Sequence, residues 1–97
     1  MKKIVKATIH WISPEDGGRQ IILPIGMRYC PIIVFEGNQT LDSLWSAEIY
    51  NTSINGRVST ADISYLSDEA PFNLLQVGSK FRLYEEQQVV AEGEIAA

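Results

Sequence analysis

Along most of this chain, apolar residues recur at every second position. Val5, Ala7, Ile9 and Trp11 alternate with Lys6, Thr8 and His10, which predicts a half-buried strand. The stretch "PEDGGR" (14–19) then reads as a turn from its proline, aspartate and glycines. "IIL" (21–23) and "PIIVF" (31–35) are short apolar runs and predict two further strands. "EGNQ" (36–39) predicts a hairpin corner after Phe35, and "LDSLW" (41–45) one helical turn at most. Trp45, Ala47 and Ile49 alternate with Ser46, Glu48 and Tyr50, so another strand is expected there. "NTSING" (51–56) predicts a turn, with Asn55-Gly56 as a pair suited to positive φ. Ala61, Ile63 and Tyr65 mark the next strand, and "SDEAPFN" (67–73) a polar loop around Pro71. Phe81 and Leu83 share one face of a further strand, which the tight turn "EEQQ" (85–88) connects to the last. Val89, Ala91, Gly93 and Ile95 are expected on one face of that final strand.

Nowhere do apolar residues recur at helical spacing over a dozen residues. About seven short strands with regularly spaced turns predict an all-β fold. A small closed antiparallel barrel is favoured, because closure leaves no long unpaired edge. The 97 residues suit a single domain spanning 1–97, without internal repeat, low-complexity tract or linker. A chain of this size loses roughly 60–70% of its unfolded surface on folding, enough for a true core.

Charge narrows the partners. Eight basic and twelve acidic residues give a net charge of −4. General nucleic-acid affinity needs a basic field, so a protein partner is expected before RNA. One cysteine, Cys30, rules out an internal disulfide. The basic start "MKKIVK" leads into no apolar stretch long enough for a signal peptide, and no segment approaches the length of a membrane-spanning helix. A cytoplasmic protein without a membrane role is therefore expected, and in that compartment the sequons at Asn38 and Asn51 carry no sugar.

Candidate chemistry is sparse. Gly17 and Gly18 permit positive φ at a corner, and Arg19 either is solvated there or clamps a phosphate or carboxylate. Arg28 and Tyr29, between Pro24 and Pro31, are residue types enriched at interface hot spots. Otherwise they are a packed tyrosine and a snorkelling arginine in a crossing loop. His10 falls on the polar face of the first strand, with no metal or nucleophile partner nearby in sequence. Cys30 beside Pro31 reads as a buried structural thiol. The paired acids Asp68-Glu69 and Glu85-Glu86 read as solvated loop residues rather than an acid–base pair. Ser53, Ser64 and Ser67 lack a nucleophile-elbow context. Trp11 and Trp45 are expected in the core. No cofactor is implied, and an enzyme is the least favoured class.

Taken in order, these stretches resemble one family. Ala7-x-Ile9-x-Trp11-Ile12 runs into Glu15-Asp16-Gly17-Gly18-Arg19. Pro24-Ile25-Gly26-Met27-Arg28-Tyr29-Cys30-Pro31 follows, then Ala61-Asp62-Ile63-Ser64-Tyr65-Leu66, and a close from Leu74 to Ile95. This order is similar to the C-terminal, third β-barrel domain of elongation factor Tu, over nearly the whole chain. The resemblance implies a barrel of that type, occurring without its GTPase domain. No phosphate-binding loop occurs in the sequence, so no GTP binding is expected. The resemblance also implies that Arg19 lies near a tRNA-facing side. However, the family's final turn, usually Glu-Gly-Gly-Arg, reads Glu85-Glu86-Gln87-Gln88 here, and its basic residue is lost. The function expected is thus a non-catalytic, stand-alone binding module, most simply for protein. Two alternatives stay open. An RNA- or tRNA-binding accessory of translation requires Arg19, Arg28 and Arg57 on one face. An acidic immunity- or antitoxin-type protein requires Glu15, Asp16, Asp68, Glu69, Glu85 and Glu86 to form one continuous surface.

Overall fold

The alternating segment forms strand β1 (Val5–Trp11), with Val5, Ala7, Ile9 and Trp11 buried and Lys6 and His10 exposed. In a computed structural model that describes residues 3–37 and 44–96, six more strands follow. They are β2 (Arg28–Tyr29), β3 (Ile32–Phe35), β4 (Trp45–Asn55), β5 (Val58–Tyr65), β6 (Lys80–Glu85) and β7 (Gln88–Ile95). Every pairing is antiparallel. The order β4-β3-β6-β7-β1-β5 closes on itself through the β4–β5 pairing, giving a six-stranded closed barrel. The short β2 lies along β4 beside β3, so β2 and β3 act as one strand interrupted at Cys30-Pro31. The carbonyl of Pro31 still accepts from Ala47 N at 2.8 Å across the interruption.

The barrel is narrow because alanines sit among its branched residues. Ala7, Ala47, Ala61 and Ala91 are buried with Ile9, Ile49, Ile63, Leu83 and Ile95. At one end Tyr65 packs edge-on against Trp45 and Phe72 and lies beside Phe35. The other end is where Trp11, the β4–β5 hairpin tip and the β6–β7 turn meet, since His10 lies opposite Val58 and Trp11 opposite Ala91.

Several expectations are corrected. Ile21–Leu23 is not a strand: it crosses this second end as irregular chain, with Ile21 exposed and Ile22 and Leu23 half-buried. Its backbone carbonyls are taken by side chains instead of a ladder, as described below. Strand β4 runs to Asn55, so "NTSING" is mostly strand, and the turn is Gly56-Arg57 with positive φ at Gly56 alone. That pattern fits a type II′ hairpin turn, whose first central residue has positive φ. Cys30 is exposed, because Tyr29 turns inward and the alternation then points Cys30 out. Val90 is a bulge on β7: adjacent Leu83 and Tyr84 face Ala91 and Val89, so Val90 joins Ala91, Gly93 and Ile95 as buried, and Val89 is only half-buried. Trp45 is half-buried at the core margin. The loop around Pro71 also reaches the core, through Ala70 and Leu75. The helical turn expected at 41–45 lies largely outside the described residues.

Ile63 is fully buried on β5 between β1 and β4. Ile63→Ala is expected to cost about 2–5 kcal/mol, the range for truncating a large core side chain. Urea unfolding followed by tryptophan fluorescence checks this.

Candidate functional site

The connection from β1 to β2, residues 12–27, carries most of the sequence-predicted site residues. It begins with a 3-10 turn, Pro14–Asp16, closed by Gly17 at φ 95°. Gly18 N donates to Ser13 O at 2.9 Å, and the chain passes so close to Ile12 that a Cβ on Gly18 would sit 1.7 Å from the Ile12 carbonyl oxygen. A Cβ on Gly17 would meet the Gln88 amide at 2.3 Å. Both glycines are therefore needed by the backbone path, and they seat the corner against the β6–β7 turn.

Arg19 leaves this corner pointing inward. Its guanidinium pairs with Glu85 and lies 5.1 Å from the Tyr29 ring centroid, and Nε donates to Ile21 O at 3.1 Å. The Tyr29 hydroxyl donates to the same Glu85 carboxylate, and the Tyr29 ring packs 5.7 Å from Trp11. The structure thus brings Arg19 and Tyr29 together with Glu85, 56 residues further along the chain from Tyr29. Charge and burial act jointly on this trio. Burial pushes the Glu85 carboxyl up, but donation from Tyr29 and Arg19 outweighs it and holds the group below its ordinary range. Burial, reinforced by Glu85, pushes the Tyr29 phenol well above its ordinary value. The hydrogen bond to Glu85 raises Arg19 further, against the opposing effect of burial. Tyr65, at the opposite end, is pushed up to about 12 by burial.

Two further side chains hold the connection. Arg57, at the β4–β5 tip, donates to the carbonyls of Trp11, Ile12 and Arg19 at 3.3, 2.8 and 2.6 Å. A buried chain of hydrogen bonds also runs outward from the core. Trp11 Nε1 donates to Ser59 Oγ at 2.9 Å, Ser59 Oγ to Asn51 Oδ1 at 2.8 Å, and Asn51 Nδ2 to Leu23 O at 3.0 Å. Among the described residues, no buried side-chain polar atom lacks a partner. Asn51 is only 4% exposed, so the asparagine of that sequon is buried within the fold. Asn38 lies outside the described residues.

What this framework leaves outside is apolar. Ile21, Ile25 and Met27 are 70, 62 and 51% exposed. Sequence reasoning missed Ile21 because its apolar triplet read as a core strand, and it pointed to Arg28 and Tyr29 rather than to Ile25 and Met27 beside them. The available signal was Pro24, which breaks a ladder, together with a Gly-Gly corner too close upstream to let a strand register.

The remaining residues are placed elsewhere. Arg28, next to Tyr29 but on the opposite face of β2, pairs with Glu48 on the outer surface. Arg19, Arg28 and Arg57 are thus each engaged by an internal acceptor. Glu15, Asp16, Glu85 and Glu86 lie toward the Trp11 end, whereas Asp68 and Glu69 follow Tyr65 at the other, because β1 and β5 run antiparallel. The six acids do not form one surface. His10 faces outward into an open groove of about 630 Å³ across β1, β7, β6 and β3, floored by the solvated rows of these strands, including the Arg82–Glu92 ion pair. Among the described residues, no cluster of three His, Cys, Asp or Glu side chains is placed to hold a metal ion. The sequence matches no protein-family model and no curated protein.

Gly18→Ala is expected to destabilise by more than about 1 kcal/mol, since backbone at Ile12 must move. Asn51→Ala is expected to cost about 1–3 kcal/mol by stranding Ser59 and the Leu23 carbonyl. Thermal and urea unfolding check both. The trio also gives a pH signature. Glu85 has a lowered folded pKa, so its stabilisation is present above the unfolded carboxyl value of about 4.3 and is lost as pH falls through the lower folded value. Tyr29 has a raised folded pKa, so its contribution is full below about pH 10 and is lost as pH rises above it. The advantage of wild type over Glu85→Gln should therefore fade in acid; partial exposure of both partners keeps it modest. In an absorbance titration, Tyr29→Phe should remove one late-ionising phenol.

Proposed function

We propose that this chain is a non-catalytic, protein-binding barrel whose contact surface is the Ile21–Met27 stretch, with Arg28 at its rim. One observation carries the reading: three large apolar side chains stand exposed on a connection whose own polar groups are held from below. A loop displayed on a rigid scaffold is the usual carrier of recognition. Exposed apolar groups gathered on one surface mark contact with another molecule. In this reading Gly17, Gly18, Arg19 and Tyr29 shape the surface from within, and Arg28 contributes at its edge.

Protein is favoured over RNA because the arginines that an RNA site would use are already occupied by Glu85, Glu48 and backbone carbonyls. The closed antiparallel barrel supports the resemblance to the third domain of elongation factor Tu at the level of architecture. The translation context, a cytoplasmic setting and the absence of GTP binding are parts of the same proposal.

The test compares immobilised wild type with Ile21→Asp/Ile25→Asp in native cell extract, with and without ribonuclease. A protein retained by wild type, lost with the variant and insensitive to ribonuclease is the expected result. Retention that ribonuclease abolishes, or equal retention by both chains, overturns the proposal.

A further inference from the structure

The surface just described adjoins a free strand edge. Beyond Asn51, strand β4 pairs with β5 on one side, through Ser53–Thr60, Ile54–Ser59 and Asn55–Val58. On its other side, β2 ends opposite Tyr50, and the last backbone bond among the described residues is Gly26 N to Asn51 O at 3.1 Å. Of Ser53–Asn55, Ile54 is the residue that turns its backbone N–H and C=O away from β5, and among the described residues neither group has a backbone partner, so a short free edge lies beside the Ile21–Met27 stretch. Such an edge is a template for pairing, and folded proteins ordinarily blunt it with charge. Here that protection is missing: neither Gln20–Met27 nor Asn51–Gly56 contains a charged residue, in a chain with eight basic and twelve acidic ones.

We infer that this end of the barrel joins two copies of the chain about a two-fold axis, the edges pairing antiparallel and Ile21, Ile25 and Met27 packing across the axis. The inference rests on the protein-binding reading and names the partner. The absence of charge from both segments suits a second copy. Two chains of net charge −4 repel one another, and an uncharged face is where they can meet without opposing carboxylates. The opposite end of the barrel also exposes apolar residues, among them Ile4, Leu66 and Val77. It mixes them with Lys3, Asp68, Glu69 and Lys80, and no comparable neutral face exists there among the described residues. An antiparallel edge also satisfies two-fold symmetry by itself, because each residue of one copy faces the partner position that faces it in return. The bulge between Asn51 and Ser53 keeps the ladder short, so the apolar side chains carry most of the contact. The patch is smaller than the roughly 20–30 residues a side of a standard interface, which makes the association weak and concentration-dependent.

Sedimentation equilibrium of the purified chain, from micromolar to millimolar concentration, tests this. The wild-type mass is expected to rise from one chain toward two. Ile21→Asp/Ile25→Asp should remain a single chain, and Asn55→Lys should move the rise to higher concentration. Val77→Asp, at the far end, should associate like wild type, with circular dichroism confirming that all variants fold. A wild type that stays single throughout overturns the inference, as does association undiminished in Ile21→Asp/Ile25→Asp. A single-chain wild type that still retains a different protein through Ile21 and Ile25 overturns the two-fold pairing and leaves the binding reading standing. A chain that does neither overturns both.

Discussion

A buried chain of hydrogen bonds, from the Trp11 indole through Ser59 and Asn51 to the carbonyl of Leu23, ties the outermost loop of this barrel to its core. Burying three polar side chains is costly unless each finds a partner, and here every link satisfies the next. The loop carbonyl is the last acceptor, so the core network is complete only with the loop in place. Arg57 acts the same way from the hairpin tip, spanning the Trp11, Ile12 and Arg19 carbonyls and so fixing where the Gly-Gly corner lies.

This arrangement decides which side chains remain for recognition. Arg19 and Tyr29 are drawn inward onto Glu85, and Arg57 onto backbone oxygens. The basic groups near this end are thereby engaged within the fold, while Ile21, Ile25 and Met27 of the crossing loop are left in water. A connection whose backbone is satisfied by side chains from the barrel does not need to bury those apolar groups to hold its shape. Its surface can accordingly be hydrophobic without collapsing onto the core.

Much of the barrel is legible in the sequence. The strict alternation at Val5–Trp11 and at Ala61–Tyr65 gives the buried faces of β1 and β5 directly, because period two has one structural meaning there. Legibility fails where pairing rather than periodicity decides. Val90 is buried because of a bulge. Ile21–Leu23 has the composition of a strand but no neighbour to pair with. The glycines and arginine of the corner were visible as a candidate site, and their chemistry was not. Glu85, the acceptor that binds Arg19 and Tyr29, lies more than fifty residues away in sequence, and only closure of the barrel brings it near. Asn51 reads as a turn residue and proves to be a core polar link.

The barrel holds Gln20–Met27 in place while displaying its apolar side chains. Backbone nitrogen-15 relaxation measures this directly. Order parameters for residues 20–27 are expected close to those of the barrel strands, about 0.85, falling in Asn51→Ala when the link to Leu23 is cut. Values below about 0.6 across this loop in the wild-type chain would contradict it.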